Sequence, residues 1–146
     1  MSSRPEVLLV DDSPADLDLT REGLKRSRQG LQVSAVNDGA EAILFLRRQG
    51  KYAQAPEPDL VVLDLNLPRK DGRQVLSELK SDPALTQIPV VIFTTSEASS
   101  DVNHSYAHGA NCYVRKPGNF PEYAAVVQSM ADFWLSLVTL PHKEMQ

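Results

Sequence analysis

The sequence carries a single cysteine, Cys112, so no internal disulfide can form, and stability has to come from a packed core in a reducing compartment. Long apolar runs are missing: none approaches the roughly 20 residues of a membrane helix. Positive charge is not in excess either. A formal net charge of −4 disfavours nucleic acid as a partner, because phosphate binding calls for a basic face. No internal repeat or low-complexity stretch interrupts the chain, and "MSSRPEV" leads directly into the first apolar run with no room for a signal peptide. These absences set the expectation of a cytoplasmic location without membrane contact. What is present is an ordinary globular composition, 42% apolar and 23% charged over 146 residues, enough for one domain to bury a core. A single domain over residues 1–146 is expected, its core covering about 6–140, with no effector domain.

Apolar runs alternate with helix-period segments. The runs Val7–Val10, Leu31–Val36, Leu60–Leu63, Val90–Phe93 and Cys112–Val114 are short, as strands buried on both faces of a parallel sheet should be. Ser13 and Pro14 mark the start of a first helix, with Leu17, Thr20 and Leu24 along one side. Asp38 caps a second, which has Ala40, Ile43, Leu44 and Leu46 to bury. Gly72 opens a third, carrying Val75, Leu76 and Leu79, and a fourth runs from near Ser100 to Gly109. The fifth runs from about Phe120 to Leu140, with Asn119 and Glu122 at the spacing of a capping box. Strict β-then-α alternation predicts an α/β fold, an open, doubly wound parallel sheet with right-handed crossovers and helices on both faces. "RRQGKYAQAPEPD" reads as a flexible insertion and "PHKEMQ" as a frayed end.

In such sheets ligands sit beyond the carboxyl ends of the strands, where strand order reverses. The first strand ends in "EVLLVDDSPAD", placing Asp11 and Asp12 side by side. Two like charges about 4 Å apart repel by roughly 4 kcal/mol at an effective dielectric near 20, and the nearest positive residue, Arg4, lies before the strand. Asp64, Asn66 and Pro68 follow the third strand, Thr94, Thr95 and Ser96 the fourth, and Lys116 and Pro117 the fifth. Singly, such an aspartate is more often a turn or cap residue. Together, three carboxylates, a hydroxyl and an ammonium would converge on one edge of the sheet. That set suits Mg²⁺, which prefers hard oxygen ligands and takes one or two protein carboxylates plus phosphate oxygens. Phosphorylation of Asp64 gives the other groups work: Mg²⁺, Lys116 and the Thr94 hydroxyl would each take one oxygen of the phosphoryl group.

The acidic pair "DD", then "DLNLPRKDG", "FTTS" and "YVRKP", in this order, resemble the receiver domain of two-component response regulators, from about Glu6 to Leu137. The resemblance implies the flavodoxin-like (βα)5 fold with strand order 2-1-3-4-5. It implies that Asp64 is the phosphoacceptor, loaded from a phosphohistidine on a partner histidine kinase. Asp12 and Asp64 would bind Mg²⁺ directly, the backbone carbonyl of Asn66 would be a third ligand, and Asp11 would act through water. Thr94, which lies 30 positions after Asp64 and 22 before Lys116, would move toward the phosphoryl group; Tyr113 would turn inward and Lys116 would pair with the phosphoryl oxygens. The Lys116–Pro117 bond would be cis, and Asn66 and Ser96 would tune dephosphorylation. A narrower resemblance rests on "GKYAQAPEPDLVVLDLNLPRKDGR", "HSYAHGANCYV" and "FWLSLVTLP", which look like the small response regulators of cyanobacterial bacteriophytochrome-type histidine kinases. It implies a stand-alone protein in phytochrome light signalling that forms a homodimer and signals by binding or through a further phosphotransfer protein.

The last helix carries more apolar surface than docking on a sheet requires. Val126, Val127, Met130, Phe133, Trp134, Leu137 and Val138 form its stripe, with Leu135 partly outside, and the surplus at Phe133, Trp134 and Leu137 is expected to form a dimer or partner face. His104 and His108 could share a helix face, but no third metal ligand lies near, so they read as solvated residues. Cys112 reads as an inert core residue. Two other functions compete. A phosphatase of the haloacid-dehalogenase type needs a second aspartate two places after its nucleophile, where this chain has Asn66. A pseudo-receiver, an interaction module that is never phosphorylated, would usually have lost the acceptor or an acidic ligand, and both are retained.

Overall fold

The computed structural model describes residues 4–28 and 30–141. Strands β1 (Glu6–Val10), β2 (Gln32–Val36), β3 (Leu60–Leu63), β4 (Val90–Thr94) and β5 (Cys112–Arg115) alternate with helices α1 (Pro14–Ser27), α2 (Gly39–Arg47), α3 (Gly72–Ser81), α4 (Ser99–Ala107) and α5 (Phe120–Ala131). All strand pairs are parallel and the order is β2-β1-β3-β4-β5, the expected α/β topology. The chain therefore reverses its direction of travel across the sheet at β1, between β2 and β3, and opens a crevice at their carboxyl ends.

The helix starts follow the expected caps. The Ser13 hydroxyl accepts the Asp16 amide at 3.2 Å with Pro14 in the first turn, the Asp38 carboxylate accepts the Glu41 amide at 2.7 Å, and Asn119 accepts the Glu122 amide at 2.9 Å. Asp71 and Gln74 form a reciprocal capping box that fixes where α3 begins. One apolar layer packs α2 and α3 on the sheet through Leu8, Val10, Ile43, Phe45, Val61, Leu63, Leu76 and Leu79. The other packs α1 and α5 through Leu9, Leu24, Val62, Phe93, Tyr123 and Val127.

Several expectations need correction. Only β1, β3 and β4 are buried on both faces; β2 and β5 are edge strands and half-exposed, which composition alone does not reveal. Cys112 accordingly lies half-buried on the β5 edge rather than in the core. In α2, Phe45 is buried while Ala40 and Leu44 are only partly so. The insertion after α2 is structured: Gly50–Tyr52 forms a turn of 3-10 helix, the Tyr52 hydroxyl donates to Glu41, and its ring packs 5.3 Å from that of Phe45. The last helix does not reach Leu140. At Asp132–Leu137 it widens to a π-helix, in which each residue turns less about the axis, and this carries Leu135 into the core at 4% exposure. Phe133 and Leu137 are left outside, at 48% and 74% exposed. Residues 142–146 of the expected frayed end lie outside the described residues.

Candidate functional site

Parallel pairing aligns the strand ends. The Asp11 amide donates to the Val36 carbonyl, the Asp64 amide to that of Val10 and the Lys116 amide to that of Thr94, so the residue just past each of β1, β3 and β5 lies in one row. Asp11, Asp64, Thr94 and Lys116 are all buried there, although polar. The Lys116 ammonium, only 3% exposed, reaches Asp11 Oδ2 at 2.6 Å and Asp64 Oδ2 at 2.8 Å. Asp64 Oδ1 accepts the Thr94 hydroxyl at 2.8 Å and the Asn66 amide at 3.1 Å. Both oxygens of Asp64 are thus positioned. Thr95, by contrast, is exposed, and it is the Thr94 hydroxyl that meets Asp64.

Electrostatics here is a contest between burial and pairing. Burial raises the Asp11 carboxyl above its usual range, by more than the Lys116 and Ser13 hydrogen bonds lower it. Burial would push Lys116 down, but its hydrogen bonds to carboxylates prevail and hold the ammonium protonated well above the ordinary lysine range. A third carboxylate contributes: Asp16 Oδ2 lies 2.8 Å from Lys116 Nζ. The sequence reading missed Asp16. Its signal was available, since a helical side chain points back toward the helix N-terminus and Asp16 lies in the first turn after the strand end.

Three carboxylates around one ammonium leave surplus negative charge on hard oxygen donors, which suits a divalent cation. Asp12 and Asn66 are exposed beside them, and Asp12 makes no hydrogen bond to the described residues. Among the described residues no three acidic, His or Cys side chains stand at metal-holding spacing; the Lys116 ammonium lies between Asp11 and Asp64. Two carboxylates and a carbonyl, with water completing the shell, are sufficient for a hard ion of this kind.

Gly72 packs against the back of the site. A Cβ there would come within 2.2 Å of the Asp64 carbonyl oxygen, so α3 can start this close to the acceptor only on glycine. On the β4 side, the Ser96 hydroxyl donates to Asp101 at 2.6 Å, and Arg73 grips the same carboxylate at 2.8 Å while also pairing with Asp71. Tyr113 is partly buried and its hydroxyl donates to the Ser96 carbonyl at 3.0 Å, tying β5 to the loop after Thr94. The Lys116–Pro117 bond is trans, not cis as expected, since no peptide among the described residues is cis. Trans is the intrinsic preference of such a bond by about 0.5–1 kcal/mol. His104 on α4 stacks at 3.9 Å with His108, just past the end of that helix. Phe133 and Trp134 line an apolar groove with Cys112, Val114, Val126 and Met130, about 350 Å³ in volume, away from the acidic row.

Residues 7–128 match the family described as "Response regulator receiver domain". The chain is a receiver-domain protein. It is 48% identical over 141 residues to "Response regulator Rcp1" of Synechocystis sp., covering 96% of each chain. It is 34% identical over 130 residues to the "Probable methanogenesis regulatory protein FilR2" of Methanothrix harundinacea, covering 88% of this chain and 83% of that one. Its fold superposes on a crystal structure of the phosphorylated cyanobacterial phytochrome response regulator RcpA with a TM-score of 0.93, at 46% identity over 96% of this chain and 100% of that one. The Mn²⁺-bound form of Rcp1 gives a TM-score of 0.92 at 46% identity, covering 94% and 99%. A receiver domain is a signalling module. Among the described residues no helix is long and apolar enough to cross a membrane.

Proposed function

We propose that this receiver acts as a cytoplasmic response regulator of a phytochrome-type histidine kinase and accepts a phosphoryl group on Asp64. The observation that carries this reading is the seating of Asp64. Its two oxygens are engaged separately, one by Thr94 and the Asn66 amide, the other by Lys116, in a buried row at the sheet's switch point. In the transfer, an Asp64 oxygen bonds to phosphorus as the bond from phosphorus to the donor's imidazole nitrogen breaks and its electron pair leaves with that nitrogen. Lys116 and Thr94 are already within reach of the acceptor, as groups meant to stabilise the phosphoryl oxygens must be. Asp11, Asp12, Asp64 and the Asn66 carbonyl would hold Mg²⁺, which when bound neutralises charge on the transferring group. Mn²⁺ in a solved structure of Rcp1 supports a divalent ion here.

The readout would follow from Thr94. Its hydroxyl bonds to Asp64 in this structure, and Tyr113 hangs on Ser96 two residues later, so a change of bonding at Thr94 reaches the β5 surface through two short links. Phe133, Trp134 and Leu137, next to that surface, would pair with a second copy, and a downstream phosphotransfer protein is a further candidate partner. The experiment is intact mass after incubation with acetyl phosphate, with and without Mg²⁺, for wild type and Asp64→Asn. An Mg²⁺-dependent phosphoryl adduct in wild type alone is expected. No adduct, together with no binding of beryllofluoride, would turn the chain into a pseudo-receiver that is never phosphorylated.

A further inference from the structure

Lys116 has three N–H donors, and each is taken by a different carboxylate. Asp11 and Asp64 belong to the acceptor site. Asp16 is neither the acceptor nor a proposed metal ligand: it sits in the first turn of α1, a hundred residues from Lys116 in sequence. The ordinary role of an acidic residue there is to favour the helix N-terminus electrostatically. Its geometry says more. The Ser13 hydroxyl takes the Asp16 amide, the Tyr123 hydroxyl lies 3.4 Å from the Asp16 carbonyl, and the carboxylate turns to the lysine at 2.8 Å. The backbone of Asp16 is therefore tied at both ends while its side chain holds Lys116. The Asp16 carboxylate is also the outermost of the three, 28% exposed against 10% for Asp11 and 9% for Asp64.

We infer that Asp16 is a positioning residue that holds one N–H of Lys116 away from the acceptor and guards the mouth of the site with a negative charge. The inference rests on the phosphoacceptor reading of Asp64. Two consequences follow from the position. With Asp16 engaged, Lys116 has no free N–H for an incoming phosphoryl oxygen until one carboxylate lets go, and the most exposed partner is the cheapest to release. Small phosphodonors are anions, and they must approach past a charge that a neutral residue would remove. Asp16 would then slow loading by free anionic donors, leaving a docked kinase, which can bring its own compensating contacts, as the favoured source.

The test compares phosphorylation rates with acetyl phosphate and Mg²⁺ for wild type, Asp16→Asn, Asp16→Ala and Asp18→Asn. Asp18, exposed on the same helix, controls for net charge alone. Both Asp16 variants should load roughly five- to tenfold faster at low salt. Their advantage should fall below about twofold near 1 M salt, where the screening length is about 3 Å. Asp18→Asn should match wild type. A cycle of Asp16→Asn and Lys116→Met in thermal unfolding should be non-additive by more than about 2 °C, reporting the contact itself. If wild type forms the adduct but the Asp16 variants load no faster than Asp18→Asn, the inference is overturned and the phosphoacceptor reading stands. If wild type forms no adduct and binds no beryllofluoride, that reading fails and the inference with it. An additive cycle overturns the contact in either case.

Discussion

Replacing Lys116 by Met keeps the aliphatic stem and removes the ammonium, so the packing changes little and the charge balance changes completely. Three charge-assisted hydrogen bonds of 2.6–2.8 Å are lost. At about 1.5–3 kcal/mol each their gross worth is roughly 5–9 kcal/mol. Desolvation of an ammonium that is 3% exposed offsets part of this, and removing one partner from a buried ion pair costs about 3–5 kcal/mol net. Asp16, partly solvated, contributes least, which places the expected loss near 3 kcal/mol at about pH 7.5. For a domain of this size that lowers Tm by roughly 6–12 °C. The loss should depend on pH. Asp11 is already raised by burial, and without the ammonium it rises further, so the folded variant binds more protons than its unfolded chain on acidification. Acid therefore favours the folded variant, and its deficit should narrow to below about 2 kcal/mol near pH 5.5. In wild type the raised Lys116 keeps its contribution through neutral pH and loses it only in strongly alkaline solution. Urea unfolding of both proteins at the two pH values measures the difference. A loss under about 1 kcal/mol, or one that is equal at both pH values, would refute the picture of Lys116 as the ion that makes this acidic row tolerable.

Gly72→Ala should destabilise by about 3 kcal/mol and slow acceptor loading, because the new Cβ meets backbone at 2.2 and 2.6 Å on the Asp64–Leu65 side; wild-type stability in urea would show the close approach to be unimportant. Thr94→Val should cost about 1–2 kcal/mol and leave the acetyl phosphate adduct intact, while abolishing any phosphorylation-linked shift of the Tyr113 NMR signals; a shift of wild-type size would break the proposed link. Leu137→Ser, at a position 74% exposed, should change stability by less than about 0.5 kcal/mol yet reduce self-association in sedimentation equilibrium; an unchanged dimer would assign the pairing to another face. The Tyr123 phenol is pushed up to about 12, mainly by burial, so the unfolded chain deprotonates first and wild-type stability should fall as pH rises from about 10 toward 12. Tyr123→Phe should make that fall shallower in thermal scans, with the raised Tyr52 and Lys116 supplying the remainder, and an identical slope would refute the contribution of Tyr123.

The alternation of strands and helices is legible in the sequence, because period-2 and period-3.6 apolar patterns and the caps at Ser13, Asp38 and Asn119 are local properties. Sequence also marks which residues end the strands, and the rule that ligands gather there makes Asp11, Asp64, Thr94 and Lys116 legible as a group. Tertiary structure decided what no local pattern encodes. Which strands are edges depends on sheet order, which the family resemblance implied but the apolar runs do not encode, so the runs alone made β2 and β5 look as buried as the rest. The π-helical turn that buries Leu135 depends on how the end of the last helix settles on the sheet, and a stripe drawn at regular helical pitch leaves that residue partly outside. Asp16 joins the site only because the Lys116 side chain, just past β5, reaches back to the first turn of α1, which follows β1, a strand separated from β5 by β3 and β4 in the sheet, and lies a hundred residues away in sequence. Gly72 shows the same division: its place at the start of α3 was readable, but the 2.2 Å that a side chain would leave to the acceptor's backbone was not. Long-range distances are set by packing, and packing is where the chemistry of this site is finally fixed.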